Sequence, residues 1–387
     1  MADRIRVGLV GASMGRGWAA ATHLPALAAL ADFELAAVST TRMESARATA
    51  DHYGAAHAFD NAEHLAGLDA LDLVVVSVRA PEHFPAVSAA IRGGKAVLCE
   101  WPLGRSVEEA ATLLEMAREA GVPHFVGLQG RMSPPLRHAA ALIGDGWLGE
   151  VLSVDLVSSN RAWGAEIPPS GAYLYDARNG ATLPSIIGGH SLDMAAACVG
   201  QFDIVHGMTL NRYPRGRDTA TGEIVEKTSP DQLLVHAKLA NGAPVSVHIQ
   251  GGVHSKDAFA LTVWGERGTL RLESASVPEI MPPSLRGTQE CGGELLPVEV
   301  PDTLWSIPET IRRGPAANVA ELYQGIAAAM RGELHTVPDF AQGLQLKAAV
   351  MGIPQRIEAR AQEARPFPRR SQSKGTGPGG PATARHG

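Results

Sequence analysis

Between residues 4 and 131 the chain alternates short apolar runs with longer stretches of helical period. "RIRVGLVG" (4–11), "FELAAVSTT" (33–41), "LDLVVVSV" (71–78), "KAVLCE" (95–100) and "PHFVGLQGR" (123–131) are rich in β-formers and read as strands. The run at 71–78 is apolar throughout, as a strand buried on both faces must be. Helices are expected at 18–31, at 43–54 where Gly54 stops the pattern, at 81–94 and at 106–121. The last of these opens with Ser106 and Glu109 at capping-box spacing. Strand and helix in alternation predict a doubly wound parallel sheet, an α/β domain over residues 1–130.

Past that point the period changes to two. Residues 150–159, 231–252 and 259–274 alternate apolar and polar, with hairpin signals at Asn241-Gly242 and Glu266-Arg267-Gly268. This predicts an α+β domain over 131–363 built on an open antiparallel sheet with one covered face. Helical segments at 316–332 and 339–363 close it. The other sheet face must also be hidden, so a homodimer or homotetramer through the C-terminal sheets is expected. The tail, 364–387, is polar and rich in Gly and Pro, and reads as disordered.

Composition narrows the class. A chain of 387 residues that is 45% hydrophobic is long enough for two cores. Its net charge of −6 argues against direct nucleic-acid binding, which needs a basic face. Cys99, Cys198 and Cys291 are far apart and form no CxxC, so neither a disulfide frame nor a metal site is expected. The N-terminus runs straight into a strand without a leader pattern. No uncharged run approaches the ~20 residues that span a bilayer. Together these read as a soluble cytoplasmic protein with no membrane partner.

The first strand runs into Gly8-Leu-Val-Gly11-Ala-Ser13-Met14-Gly15-Arg16-Gly17. A glycine turn at the first strand–helix junction lets a pyrophosphate approach the backbone, so residues 11–17 are the candidate dinucleotide turn. A strict GxGxxG would need glycines at Ser13 and Arg16. The second strand ends in Ser39-Thr40-Thr41-Arg42, without the acid that usually bonds the NAD ribose. Hydroxyls followed by Arg can hold a 2′-phosphate, so NAD and NADP both stay open. Gln129 and Arg131 follow the last strand, at the edge where a parallel sheet meets ligand. The long, turn-rich stretch 159–180 carries Asn160, Trp163, Tyr173, Tyr175 and Asp176. Aromatics mixed with amides and charges suit a sugar, and equally suit a covering or dimer-facing loop.

The motifs "VGLVGAS", "VLCEWPLGRSVEEA", "VGLQGRMSP", "LIGDGWLGEVLSV", "GGHSLDMAAACVG" and "VWGERGTLRLE", in that order, resemble the glucose–fructose oxidoreductase/inositol dehydrogenase/MocA (Gfo/Idh/MocA) family. "VRAPEHF", "CEWPLG", "GAYLYDARNGATLP" and "GGHSLD" are most similar to its yeast galactose-regulon repressor subgroup. The resemblance implies a Rossmann domain holding NAD or NADP, with Val78, His83, Glu100, Trp101 and Gln129 at the cofactor. It implies a carbohydrate-like substrate near Trp101, Arg131, Asn160, Trp163, Tyr175, Asp176 and His190.

Two departures stand out against that family. Its enzymes read Glu-Lys-Pro where this chain has Glu100-Trp101-Pro102. An indole has one N–H and no titratable group, so Trp101 stacks on a ring or packs between domains but moves no proton. Where the family shows Asp-x-x-x-His, this chain has Ile186 and His190. Asp193 lies three residues on and would orient the imidazole. His190 is therefore the candidate acid/base, with Tyr175 second if its ordinary pKa near ~10 is lowered. Two functions follow: hydride transfer on a sugar, polyol or glycoside, including redox-assisted glycoside cleavage, or a catalytically silent sensor of dinucleotide and sugar acting through a protein partner.

Overall fold

The structure, a computed structural model, describes residues 4–356 apart from Arg16 and Pro278. The expected tail at 364–387 and the stretch 357–363 lie outside the described residues. The first sheet contains β1 (Ile5–Val10), β2 (Phe33–Ser39), β3 (His57–Phe59), β4 (Leu73–Val76), β5 (Ala96–Glu100) and β6 (His124–Gly127). All pair in parallel in the order β3-β2-β1-β4-β5-β6. Strand order reverses between β1 and β4, which opens a crevice beyond their C-terminal ends.

The helices are α1 (Gly17–Ala21), α2 (His23–Ala29), α3 (Met43–Tyr53), α4 (Ala62–Ala66), α5 (His83–Arg92) and α6 (Val107–Ala120). The single helix expected at 18–31 is two, because Pro25 cannot donate to the carbonyl of Ala21 and the chain breaks at Thr22. Gly54 ends α3 in the left-handed region at φ 73°. The capping box of α6 forms by half. Ser106 Oγ accepts from Glu109 N, but the Glu109 carboxylate turns to Arg105, bonding its backbone N at 2.7 Å and its guanidinium at 2.8 Å.

The second sheet is built from β7 (Val151–Ser159), β9 (Phe202–Leu210), β12 (Gln232–Leu239), β13 (Pro244–Gln250), β14 (Ala258–Gly265) and β15 (Gly268–Ser274), with β16 (Ser284–Thr288), β17 (Leu296–Pro297) and β18 (Gln355–Arg356) at its edges. The order is β17-β16-β15-β14-β7-β13-β12-β9-β18. A small satellite sheet joins β8 (Glu166–Ile167), β10 (Arg215–Asp218) and β11 (Ile224–Glu226). Both expected hairpins form, β12–β13 and β14–β15. The sheet is mixed, however, since β7 runs parallel to β13 and antiparallel to β14. β13 ends and β14 begins at the same sheet edge, so the strand between them must run with one of them.

The inner face packs Leu156, Val235, Ile249 and Leu261 against α7 (Pro134–Gly144) and α8 (Gly189–Val199). The last helices, α9 (Ala317–Met330) and α10 (Phe340–Met351), return to the first sheet. Tyr323 of α9 packs on Phe33 of β2 at 5.1 Å between ring centres. The helix expected to run to 363 stops at Met351, where Gly352 and Pro354 follow and the chain turns into β18. Among the described residues, no helix is long and apolar enough to cross a membrane.

Candidate functional site

The glycine turn leaves β1 at the reversal point. Gly11 has φ 95°, and a Cβ there would lie 2.3 Å from Ser77 O, so the turn presses on the end of β4. Gly11 N and Ala12 N both donate to Ser39 O, tying the turn to β2. Ser13 N bonds Gly11 O, and Met14 N bonds Thr49 Oγ1 at 3.1 Å. Gly15 and Gly17 differ: both have positive φ, and an added Cβ would meet nothing within 4 Å. The turn is thus anchored in its first half and bare in its second. Arg16 lies outside the described residues.

At the end of β2, Thr40 Oγ1 bonds Arg42 O at 2.8 Å and Ser45 Oγ at 2.7 Å, fixing the entry to α3. Thr41 and Arg42 remain exposed there. Val78 Cγ1 lies against the Gly11 turn. His83 does not face the cleft as expected. Its Nδ1 is 2.9 Å from Pro102 O and its Nε2 3.0 Å from Val78 O, so it ties the loop after β4 to the loop after β5. Burial pulls its pKa down.

β5 delivers Glu100 and Trp101. Glu100 Oε1 is 3.1 Å from His23 Nε2, and His23 Nδ1 is 2.8 Å from the Tyr323 hydroxyl, a buried chain joining β5, α2 and α9. Trp101 is 5% exposed and its indole N–H donates to Ser185 O at 2.7 Å. A Cβ on Gly189 would lie 2.4 Å from that nitrogen, so the ring is pressed onto the start of α8. With its donor engaged and the indole against Gly189, Trp101 is a strut between the two sheets. Ser185 also receives Lys347, whose Nζ lies 3.4 Å from Ser185 Oγ and 3.0 Å from Gly104 O. Sequence reasoning missed Lys347. The signal was a lysine on the inward stripe of α10, between Gly343 and Val350.

A π-helical turn, Pro184–Gly188, leads into α8. Ile186 sits in that turn, where the family carries its acid. His190 is buried and makes no side-chain hydrogen bond among the described residues, and burial pulls its pKa down to about 3. Asp193 does not orient it. Arg131 takes that carboxylate in a buried two-pronged pair, with Nε 2.9 Å from Oδ2. A guanidinium fork satisfies a carboxylate better than one imidazole N–H can. Arg131 is therefore engaged as well, and lines a cavity of about 560 Å³ between α8, β9 and α10.

Gln129 is fully buried, and among the described residues neither its amide nitrogen nor its oxygen has a partner. It precedes Gly130, whose Cα faces the Met194 sulfur, one turn beyond His190. Gln129 and His190 therefore belong to one joint at the C-terminal edge of the first sheet.

The 159–180 stretch divides. Asn160 Oδ1 caps Ala162 N, and Asp176 is held by Arg178, whose hydrogen bonds keep that carboxyl below its ordinary range. The Tyr175 hydroxyl donates to Glu166 O at 2.8 Å, and burial pushes its pKa up, so it is not the lowered acid/base expected. Trp163 is buried at φ 61°, a left-handed conformation unusual for a large side chain, and its indole N–H has no partner among the described residues. Tyr173 lies under the Arg79 guanidinium, 5.2 Å from its ring centre. Gly180 abuts the Arg105 backbone. These two contacts bring the stretch over the loops after β4 and β5.

Residues 5–128 match the oxidoreductase family with an NAD-binding Rossmann fold, and residues 134–274 match the C-terminal domain of Gal80p. The galactose/lactose metabolism regulatory protein GAL80 of Saccharomyces cerevisiae is 31% identical over 289 residues, 70% of this chain and 66% of that protein. The chain thus spans just under two thirds of that relative's length. A solved super-repressor mutant of the same Gal80p superposes with a TM-score of 0.80 at 26% identity, covering 91% and 95% of the two chains. Dehydrogenase aclE of Aspergillus oryzae is 30% identical over 303 residues, 74% of this chain and 82% of that one. Levoglucosan dehydrogenase in complex with NADH shares the fold, with a TM-score of 0.78 at 20% identity over 91% and 96%.

Proposed function

Because this chain belongs to the Gfo/Idh/MocA oxidoreductase family, we propose that it binds a nicotinamide dinucleotide and passes hydride between it and a carbinol of a sugar, polyol or glycoside. The observation that carries the reading is the glycine turn at the strand-order reversal, held by Ser39 O and Ser77 in its first half and with open space over Gly15 and Gly17 in its second. Gln129, a buried carboxamide with no side-chain partner among the described residues, lies at the end of β6 on the same edge of the sheet. Gly15 and Gly17 supply bare backbone for the pyrophosphate at the other end of the same edge. Thr41 and Arg42 stand where the adenosine ribose would lie, and accommodate NAD or NADP.

When bound, the nicotinamide supplies the hydride acceptor or donor. The protein's part is to orient the carbinol and take its hydroxyl proton. His190 is the candidate acceptor of that proton; it is neutral across physiological pH, but burial that holds its pKa at about 3 makes it a weak base until bound ligand stabilises the imidazolium. Trp101 excludes water from the joint and takes no proton. Calorimetry with each dinucleotide tests the binding: no heat from NAD(H) or NADP(H) at millimolar concentration would sink the proposal.

A second reading, a silent sensor acting through a protein partner, is favoured by the unassembled proton relay. Ile186 replaces the acid, Asp193 serves Arg131, and the family lysine is Trp101. Turnover assays on a panel of sugars, polyols and glycosides separate the two. Dinucleotide binding without any turnover, coupled to capture of a protein partner, would favour the sensor.

A further inference from the structure

α10 turns a cation into the protein. Lys347 shares the inward stripe of that helix with Phe340, Gly343 and Val350, and is 0% exposed. Its Nζ donates to Gly104 O at 3.0 Å and to Ser185 Oγ at 3.4 Å. The carbonyl of that same Ser185 holds the Trp101 indole N–H. Gly104 lies two residues after Pro102, in the turn that follows Glu100-Trp101-Pro102. One serine therefore joins β5, the π-helical turn and α10, and the ammonium sits directly behind the triplet.

Packing alone does not account for a lysine here. A buried ammonium carries a desolvation cost, and a methionine or leucine would fill the same stripe against α6 without it. What the lysine adds is charge-assisted hydrogen bonding to two segments that border the cleft. We propose that Lys347 is a positioning residue, which fixes the Trp101–Ser185 strut and the 102–105 turn at the edge of the dinucleotide cleft and supplies from behind the cation that the triplet lacks. Its effect on ligand binding rests on the dinucleotide reading above; its effect on the strut does not.

Among the described residues, Lys347 is one of two buried groups with a pKa of about 8. The other, Glu279, is raised to about 8 by burial and also feels the Glu100 charge, so Glu279→Gln is the control for the titration below. Burial pulls the Lys347 pKa down to about 8, against the opposing pull of Glu109 from α6 and Cys99 from β5. Burial pushes the Cys99 thiol well up and pulls His83, facing from α5, down, so both move away from the range in which Lys347 titrates. Glu109 is ion-paired to Arg105. From α8 and β6, also packed on α10, come His190, the Asp193–Arg131 pair and His124, which stacks on Phe340.

The test is the indole N–H resonance of Trp101 in protein labelled with ¹⁵N-tryptophan, assigned by its loss in Trp101→Phe. In the wild type it should shift with a midpoint near pH 8, and stay flat over that range in Lys347→Met and Lys347→Gln. Dinucleotide affinity at pH 7 should fall roughly tenfold in Lys347→Met and less in Lys347→Gln, which keeps a donor. Circular dichroism checks the fold. If Lys347→Met does not fold, Lys347→Gln and the wild-type titration decide. A resonance that does not move in the wild type, or that still moves in Lys347→Gln, overturns the proposal. Unchanged affinity in a folded Lys347→Met would overturn the positioning role. A wild type that binds no dinucleotide refutes the functional reading instead, while the resonance still decides the strut.

Discussion

At the residue scale the question posed by Trp101 has a geometric answer. The indole is held by one hydrogen bond and one glycine, and both can be tested. Gly189→Ala would place a methyl 2.4 Å from Trp101 Nε1, inside any contact distance, and neither neighbour is a flexible chain end. We expect a loss of about 1–3 kcal/mol, read as a lower Tm. Trp101→Phe loses the bond to Ser185 O and leaves a cavity where the larger indole packed, and should likewise lower Tm. His190 makes a sharper prediction. With its pKa near 3 it stays neutral from about pH 5 upward, so any turnover should show no histidine limb between pH 5 and 8. His190→Ala should lower kcat by ~100-fold or more with dinucleotide affinity unchanged. Full turnover in that variant would move proton transfer elsewhere. The identities of Glu100, Trp101 and His190 were legible from their motif positions. Their partners were not: Asp193 and His190 share a helix face, but nothing in their spacing says that Arg131, 62 residues earlier, claims the carboxylate.

At the element scale, sequence periodicity located β1, β2, β4, β5, β6 and both hairpins, because buried parallel strands and half-covered antiparallel ones leave strong apolar patterns. It missed β3 and α4, where "HAFDNAEHLA" (57–66) is short and half polar, and β9, where a bulge against β12 breaks the alternation. A carboxyl on α9 gives a pH prediction at this scale. Burial raises the pKa of Glu321 from 4.5 to about 7, against the Ser306 N–H that it accepts. Its folded pKa exceeds its unfolded one. Its contribution to stability is therefore complete below about pH 4.5 and is lost as pH rises through 7. Chemical denaturation of Glu321→Gln should show that part of the pH dependence flattened, by on the order of 3 kcal/mol between pH 4.5 and 8. An unchanged slope would assign it to other groups.

For the whole molecule, the outer face of the second sheet is the largest open question with a direct measurement. Val157 and Trp264 are 46% and 45% exposed on strands β7 and β14, beside Thr262 and Arg271. We propose that a second copy covers this face, and expect light scattering at micromolar concentration to report a dimer or tetramer. Val157→Asp, next to Asp155 on the neighbouring outward side, should shift the protein toward monomer. A wild-type monomer would count against it.

The return of α9 and α10 to the first sheet has a consequence for how the chain comes to be folded at all. As it leaves the ribosome, the half built on the first sheet is complete in strands by residue 127, yet its core lacks Tyr323 and Phe340, and Lys347 has not reached Gly104. About two hundred residues must be synthesised before those pieces arrive, and every strand of the second sheet except β18 lies in between. A fragment ending at 130 should therefore expose an unfinished apolar surface and aggregate, whereas the same fragment co-expressed with 316–356 should be rescued. The part that looks most like an independent module waits for helices that the nascent chain supplies only near its end.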